Sequence, residues 1–288
     1  MAQPPFCMNL SPLGEEGKKI AEKELRETPD VVKPAIEELR KLLKADPKLH
    51  YRDDDEFLTI FLRPCKFYPE SAYQLMKRIA EFRKKYENLL KDLVPQDEEV
   101  ACTQHNVVNV LTNCDHKGRR VLLVNCGSSW DPSKVSADQL FRIFFLIHEC
   151  AILEPETQVR GVVVIMDFDG MSLKQAKAMS PAFSMRLLGF IQDALPLRLK
   201  EIHMVKEPFV FNMVWSLFKP FIREKLKSRI FFHGSKMQSL HKHMDPAYLP
   251  KNYGGTMPEI DYTGANWYPC MVDNEKHIRE LNSYGLVE

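Results

Sequence analysis

Four aliphatic runs in the second half of the chain constrain its fold more than any other feature. They do not alternate with polar residues, and helical patterns separate them. Strands without alternation are buried on both faces, and strands that are joined by helices usually run parallel. From about residue 100 onward we therefore predict an α/β domain with a mainly parallel sheet. The four predicted strands cover residues 120–124, 162–166, 202–205 and 230–232.

Residues 15–90 contain helical patterns only. Apolar residues recur there with the 3.6-residue period, and Pro47 ends one such segment. Residues 53–55 are candidate N-caps of a short apolar helix over residues 57–62, and Pro69 lies near the start of a longer helix. The predicted organisation is a flexible N-terminal tail (1–12), an all-helical domain (13–90), the α/β domain (91–276) and a C-terminal tail (277–288).

Composition excludes several function classes. Lys and Arg number 40 against 39 Asp and Glu, so the chain is not a polycation that binds nucleic acid through bulk charge. Its 7 scattered cysteines lack CxxC and paired-histidine spacing, which argues against a disulfide framework and structural zinc and favours a reducing compartment. The first residues lack a signal-peptide pattern, and charges interrupt the longest apolar stretch. An intracellular, soluble protein without a metal site is expected.

Two acidic residues follow the second predicted strand. Asp167 and Asp169 lie at the edge where open α/β sheets bind ligands. The chain contains no glycine-rich phosphate loop, no GxSxG and no HExxH. We interpret the two carboxylates as caps of the turn after the strand, and we expect neither a cofactor nor an enzymatic activity.

The most apolar helical segment spans residues 208–221. Pro208 suits the first turn of a helix, Pro220 ends it, and the few polar residues between them fall on one narrow stripe. A helix of three turns is too short to cross a bilayer. Two interpretations stay open. The segment is a buried central helix, or it has one face on an internal apolar ligand and the other available to a membrane surface.

A basic run follows this segment directly. Its only acidic residue is Glu224, so the local charge is strongly positive in an otherwise neutral chain. An apolar helix that leads into such a run is typical of elements that bind anionic lipid at a membrane surface. The alternative is a solvated basic helix end that the helix dipole favours. The cations are Lys219, Arg223, Lys225, Lys227 and Arg229.

A second apolar helix is predicted over residues 138–153. Asp138 and Arg142 have the spacing of an ion pair on its polar stripe. His148 falls on the opposite, apolar side, near Phe144. It is either a satisfied core histidine or a hydrogen-bonding group at the end of an apolar pocket, where it would bind the polar head of a ligand.

Several short motifs occur in a fixed order along nearly the whole chain. They are Phe61-Leu62-Arg63, Asp115 with Gly118 and Arg120, Glu156-Thr157, Asp167 with Gly170, Glu207-Pro208, Lys219-Pro220-Phe221, His233-Gly234 and Leu249-Pro250 with Tyr253-Gly254-Gly255. In this ordered set the chain resembles the CRAL-TRIO lipid-binding family, and within it the group of tocopherol- and retinaldehyde-binding members. The resemblance covers residues 15–276.

The resemblance implies a non-enzymatic carrier. A hydrophobic ligand would lie on the sheet, beneath a mobile lid helix at residues 208–219. Where tocopherol-binding members carry small hydroxyl residues this chain has Phe144 and His148, which implies a differently shaped pocket. The ligand-binding residues implied are Phe141, Phe144, His148, Val162, Val164, Phe183, Leu187, Phe190, Ile191, Leu197, Ile202, Phe209, Val210, Met213, Val214, Leu217 and Phe218.

The same resemblance implies a phosphoinositide site. Its cations correspond to Arg198, Lys200, Lys225 and Arg229. A further contact position of the site corresponds to Cys65, and the neighbouring Lys66 would supply the cation there. The expected function is transfer of one tocopherol- or retinoid-like lipid through the cytoplasm, with transient contact at endosomal or plasma membranes that contain phosphatidylinositol bisphosphate. The alternative is a phosphoinositide-binding membrane adaptor that its pocket lipid regulates. No nucleic-acid partner is expected.

Overall fold

Five helices and one very short strand account for most of residues 15–90 in the computed structural model, which describes residues 5–260 and 264–287. The carboxylate of Asp54 accepts a hydrogen bond from the backbone N–H of Phe57 at 3.0 Å, as expected of an N-cap. Pro69 occupies the first turn of its helix, where a missing N–H costs nothing. The elements are α1 (Glu15–Leu25), α2 (Pro29–Ala45), β1 (Leu49–His50), α3 (Asp55–Leu62), α4 (Pro69–Lys85) and α5 (Glu87–Leu90).

A five-stranded sheet forms the centre of the second half, so the predicted α/β class with a mainly parallel sheet is confirmed. Its spatial order follows the chain, and all neighbouring strands run parallel except the first pair, which is antiparallel. The antiparallel edge strand is not predicted by the sequence, because Asn109 interrupts its short apolar run. Helix α6 (Glu99–Gln104) precedes the strands β2 (Val108–Val110), β3 (Arg120–Asn125), β4 (Val162–Asp167), β5 (Leu199–Val205) and β6 (Ile230–Phe232).

Helices cover both faces of this sheet, which is why its strands do not alternate. The side chains of Val163 and Ile165 pack into one core with Leu240 and Tyr253, whereas Val162 and Val164 belong to a second core on the opposite face. The covering helices are α7 (Ala137–Ala151), α8 (Pro155–Arg160), α9 (Leu173–Ala178), α10 (Pro181–Gly189), α11 (Phe211–Phe218), α12 (Glu224–Lys227) and α13 (Met237–His241). A π-helical turn, Phe190–Ala194, extends α10.

The C-terminal segment forms α14 (Tyr268–Asp273), α15 (Glu275–Asn282) and β7 (Gly285–Leu286). It is therefore not a tail: β7 pairs with β1 in an antiparallel sheet, and Tyr284 packs against Phe57 with ring centroids 5.3 Å apart. Its partners lie near residue 50, so the sequence alone does not reveal the pairing. The N-terminal segment is also held, because the Phe6 N–H donates to the Asn266 carbonyl at 2.7 Å.

One hydrophobic core crosses the predicted domain boundary at residue 90, running from Ala35 to Leu281. The boundary separates helices from sheet, but it does not separate two cores. The Asp138–Arg142 ion pair that the spacing predicts is not formed: Arg142 pairs with Glu98, and Asp138 pairs with Arg186. Both partners come from other elements, which spacing along one helix cannot anticipate.

Candidate functional site

An apolar cavity lies between the sheet, α7, α10 and α11. Alternate residues of β3 and β4 form its floor, since side chains two apart on a strand share a face. Helix α7 supplies the wall through Leu140, Phe141 and Phe144. Helix α11 forms the roof, so we call it the lid. Four of its residues, spaced i, i+3, i+4 and i+7, line the cavity: Phe211, Val214, Trp215 and Phe218.

Many of the residues that the sequence and the resemblance single out meet in this cavity. Those that line it are Phe141, Phe144, His148, Val164, Phe183, Leu187, Ile191, Ile202, Val214 and Phe218. Phe190 lies behind the wall, packed on Phe82 and Phe145 with ring centroids 5.6 and 5.3 Å apart. Leu197 is buried elsewhere in the core, and Val162 lines a neighbouring cavity.

The remaining predicted ligand residues lie on the lid or just before it, away from the cavity. Phe209 is 90% exposed and Met213 is 51% exposed. Val210 and Leu217 are half-buried and do not line the cavity either. The lid therefore has an apolar inner face, and two exposed apolar side chains, Phe209 and Met213, lie at its start on the outer side. Large exposed apolar side chains next to each other mark surfaces that contact a partner or a membrane.

Several cavity residues escape the sequence analysis. On the floor, Val124, Met166 and Met204 continue the two-residue period of the strands, and on the lid Phe211 and Trp215 continue the helical period. Both periods are present in the sequence and are sufficient to find these residues. Phe168 also continues the period of β4, one residue beyond the end of the strand. Met179 and Ile222 follow no such period, because they reach the cavity from a helix end and a loop.

The lid begins later than the sequence predicts. Pro208 precedes the helix, and its carbonyl accepts a hydrogen bond from the Phe211 N–H at 2.9 Å in a turn. A short 3₁₀ turn, Lys219–Phe221, ends the lid at Pro220. The lid is thus a helix of two turns with a turn at each end, which is suited to movement as a unit.

His148 is the polar residue of the cavity wall. It is 3% exposed, and its Nδ1 lies 2.6 Å from the Phe144 carbonyl oxygen. Burial lowers the pKa of His148 to about 4, so the ring is neutral at physiological pH. The ring packs on Phe144 with centroids 4.1 Å apart. The structure thus places a neutral imidazole within an apolar wall.

Three of the predicted phosphoinositide residues lie close together at the start of the central strands. We call Arg198, Lys200 and Arg229 the basic cluster. Burial and the positive charge of Arg198 lower the pKa of both Lys200 and Arg229, which shows how near the three cations are. Arg198 also donates to the Val159 carbonyl, and Arg229 donates to the Leu199 carbonyl, so two of the cations are held in place.

An acidic residue of α1 is bound to this cluster. The Glu24 carboxylate accepts from Arg198 at 2.5 Å and from Lys200 at 3.1 Å. Burial raises the pKa of Glu24, but these hydrogen bonds outweigh it and keep the pKa below its ordinary value. Glu24 therefore occupies, as a carboxylate, one side of the basic cluster.

The two other predicted cations lie apart from Glu24. Lys225 is exposed and has no ion pair with any described residue. Burial raises the pKa of the Cys65 thiol to about 11. The positive charges of Arg78 and Lys225 act in the opposite direction on this pKa, which shows that Lys225 lies near Cys65. Lys66 is exposed beside Cys65 and has a left-handed backbone with φ of 53°.

The strand-end carboxylates take part in local contacts. Asp167 lies 3.1 Å from Lys206 Nζ and accepts from the Asp169 N–H at 2.9 Å. Asp169 lies 3.5 Å from the same Lys206 nitrogen. Each of these contacts stabilises the turn after β4. Among the helices within residues 5–260 and 264–287, none is both long and apolar enough to cross a membrane.

Comparisons with known proteins agree on one family. The CRAL/TRIO domain model matches residues 104–255. Clavesin-1 of Pongo abelii is 30% identical over 285 residues, which cover 94% of this chain and 80% of that protein. An alpha-tocopherol transfer protein-like sequence of Pongo abelii is 33% identical over 256 residues, covering 88% and 74%. The solved structure of Sfh5 shares the fold, with a TM-score of 0.53 at 15% identity over 93% of this chain and 99% of that one.

Proposed function

We propose, since this chain belongs to the CRAL-TRIO lipid-binding family, that it carries one hydrophobic lipid and transfers it at membranes that contain phosphoinositides. The observation that carries the proposal is the lid: its inner face roofs an apolar cavity, and Met213 on its outer side is exposed together with Phe209 just before it. Apolar side chains on both sides suit a ligand below and a bilayer above. We propose a tocopherol- or retinoid-like lipid as the ligand and the cytoplasm as the place of transport.

The cost of opening the lid favours release at a membrane. Phe211 and Val214 are buried, and each fully buried apolar side chain contributes about 1.5–3 kcal/mol. Opening in water would expose both, together with parts of Trp215 and Phe218. At a bilayer, acyl chains would cover the exposed side chains and offset this cost. The ligand is therefore retained in water and released where lipid is present.

The basic cluster supports a role for phosphoinositides. Each cation near an anionic membrane surface contributes about 1 kcal/mol, and several cations can converge on the phosphates of one headgroup. Lys225 is free to join Arg198, Lys200 and Arg229, and Lys66 stands on the neighbouring helical domain. Glu24 must leave the cluster when a phosphate binds, because both would accept hydrogen bonds from Arg198 and Lys200.

A membrane adaptor is the second candidate, and the same basic cluster favours it. An adaptor would dock on phosphoinositide membranes and hold its lipid, whereas a carrier would move lipid between membranes. We propose the carrier, without a catalytic step, because the lid faces both the cavity and the outside. The carboxylates after β4 are engaged with Lys206 and support no catalytic role.

The test is lipid transfer between vesicles by the full chain. In the variant Phe209→Asp, Met213→Asp the outer face of the lid becomes charged, although neither side chain lines the cavity. We expect the rate of transfer of a fluorescent tocopherol from donor to acceptor vesicles to fall by about tenfold or more, which corresponds to about 1.4 kcal/mol. The amount of bound ligand and the thermal stability should stay unchanged.

The matched control is Asn212→Asp, Ser216→Asp, which adds the same charge to exposed polar positions of the same helix. It should transfer nearly as fast as the parent. Equal loss in both variants would assign the effect to charge alone and contradict the membrane face. Vesicle docking by the parent without any lipid transfer would favour the adaptor.

A further inference from the structure

A second apolar cavity lies next to the first on the same face of the sheet. On β4, Val162 lines the second cavity and Val164 lines the main one. On β3, Leu122 lines the second cavity and Val124 lines the main one. Residues two apart on a strand point the same way, so the two cavities follow each other along one floor. Helix α7 covers both, through Phe144 over the main cavity and Ala151 over the second one.

His148 lies at the junction, since it lines both cavities. Its Nδ1 is 2.6 Å from the Phe144 carbonyl, and a carbonyl oxygen only accepts, so Nδ1 carries the hydrogen. A neutral ring with its hydrogen on Nδ1 has a lone pair on Nε2. No described residue donates to that nitrogen. The junction therefore offers one buried acceptor, which is stabilised by a ligand that donates a hydrogen bond.

The second cavity has no free charge for a phosphate. Its charged residues are Arg120 and Glu154, which are paired at 2.6 Å. Two further donors of Arg120 point to the Cys7 and Thr112 carbonyls at 3.0 and 3.5 Å. Four of the five N–H groups of Arg120 are thus engaged, and its charge is paired with Glu154, so it does not recruit an anionic headgroup.

Both ends of the chain close this cavity. Phe6 and Met8 from the N-terminal segment and Trp267 from the C-terminal part contribute to its lining. The Phe6 ring lies under the Arg120 guanidinium at 4.6 Å, and the Asn9 N–H donates to Glu154 at 2.8 Å. The cavity is thus a largely apolar space beside the main cavity that suits a hydrocarbon chain.

We propose that the ligand occupies both cavities and is a lipid alcohol with two apolar arms, its hydroxyl donating a hydrogen bond to Nε2 of His148. One arm lies beneath the lid and the other extends beyond His148 towards Phe6. Diacylglycerol is the simplest lipid of this class. The inference rests on the proposed function, because it concerns the ligand of the same carrier; it replaces the tocopherol- or retinoid-like lipid, which has a single apolar tail, by an alcohol with two arms.

The acceptor at the junction distinguishes lipid alcohols with two apolar arms from other classes of lipid. An alcohol with its hydroxyl at one end of a single chain leaves one cavity empty. An aldehyde, an ester or an ether offers no donor to Nε2. A phospholipid brings a charge that neither cavity can pair. A hydroxyl between two hydrocarbon arms satisfies the acceptor and fills both cavities.

The first measurement compares three ligands by competition with a fluorescent lipid. The parent protein should bind dioleoylglycerol about tenfold more tightly than its 3-O-methyl ether, which lacks the donor, and more tightly than oleyl alcohol, which has one arm. His148→Leu should bind the alcohol and the ether equally, a change of preference that loss of stability alone does not produce. Equal affinity of the parent for the alcohol and the ether would overturn the proposal.

The second measurement fills the second cavity. Ala151→Leu should weaken dioleoylglycerol binding by about tenfold and leave oleyl alcohol unaffected, because its single chain stays under the lid. Ala137→Leu is the matched control: it makes the same change on the same helix but lines neither cavity. Retained dioleoylglycerol affinity in a folded Ala151→Leu protein would overturn the two-cavity ligand while leaving the carrier intact. Binding of none of the three lipids by the parent would overturn both.

Discussion

His148 combines the two roles that the sequence leaves open. As a core residue it is satisfied at Nδ1 by the Phe144 carbonyl and packed on the Phe144 and Phe190 rings. As a functional residue it leaves Nε2 without a described partner at the junction of two cavities. Periodicity places the side chain on the apolar face of α7, but the backbone carbonyl decides its tautomer. The chemistry that it offers a ligand is therefore set by a contact within the helix.

The pH dependence of stability tests the burial of this residue. The pKa of His148 is about 4 when folded and about 6.5 when unfolded, so the unfolded chain takes up the proton first. The stabilisation is present above pH 6.5 and is lost as the pH falls towards 4. Between pH 7 and 5 the free energy of unfolding should fall by about 2 kcal/mol more in the parent than in His148→Leu.

Urea unfolding at the two pH values measures this difference. The comparison with the variant is needed because burial also lowers the pKa of His233 and His277 to about 4, and both contribute to acid destabilisation in either protein. An identical pH dependence in parent and variant would show that His148 is not buried as a neutral ring.

Among the elements, α1 and the lid are two helices whose contacts depend on the element that packs against them. Helix α1 is amphipathic and unremarkable in sequence, yet packing against α8 brings Glu24 onto Arg198 and Lys200. The lid packs on one side only, which leaves Met213 exposed together with Phe209 just before the helix. In both cases the neighbouring element decides which face carries the function.

Removal of the Glu24 charge should strengthen phosphoinositide binding. Glu24→Gln frees Arg198 and Lys200 from an anion that a phosphate would have to displace. Affinity for vesicles with phosphatidylinositol bisphosphate should rise by about fivefold, since one charge near such a surface contributes about 1 kcal/mol. Vesicle flotation at physiological salt measures it.

Two controls accompany this experiment. Glu22→Gln removes the same charge from an exposed position of α1 outside the cluster and should change little. Lys225→Ala should weaken binding by about the same factor, whereas Lys227→Ala, which breaks a surface pair with Glu224, should not. If Glu24→Gln binds no better than Glu22→Gln, the basic cluster is not the docking site.

In the whole molecule, buried contacts join the helical half to the α/β half. Arg83 of α4 pairs with Glu149 of α7 and donates to Asn282 of α15 at 3.2 Å. Glu149 is buried and Arg83 is mostly buried, at 9% and 13% side-chain exposure. Burial raises the pKa of Glu149, and Arg83 opposes that shift. The two halves should therefore unfold together, in one cooperative transition.

Breaking this pair should be costly, and replacing it should not. Arg83→Met leaves a buried carboxylate without its partner and should lower the free energy of unfolding by about 3–5 kcal/mol. The double variant Arg83→Met, Glu149→Leu removes both charges and should regain most of that loss. Denaturant unfolding checks both, with Lys41→Met at an exposed pair with Glu38 as the control. A double variant as unstable as the single one would contradict this account.

The sequence by itself determined the elements and their class. Apolar periods mark the central strands and long helices, Asp54 and Pro69 mark helix starts, and the ordered motifs indicate the family. These signals are local, because each depends on neighbouring residues that share one face or one turn. The lid inner face is of the same kind, since Phe211 and Phe218 follow the helical period.

Only the tertiary structure decided the pairings between distant residues. The contact of Glu24 with Arg198, the strand formed by residues 285–286 with residues 49–50, and the second cavity beneath Phe6 join segments that are far apart in the chain. Charge and polarity tell what a side chain can bind, but several residues of each type compete for every partner. Packing of the elements selects among them, because only the folded chain places two of these groups within a few ångströms.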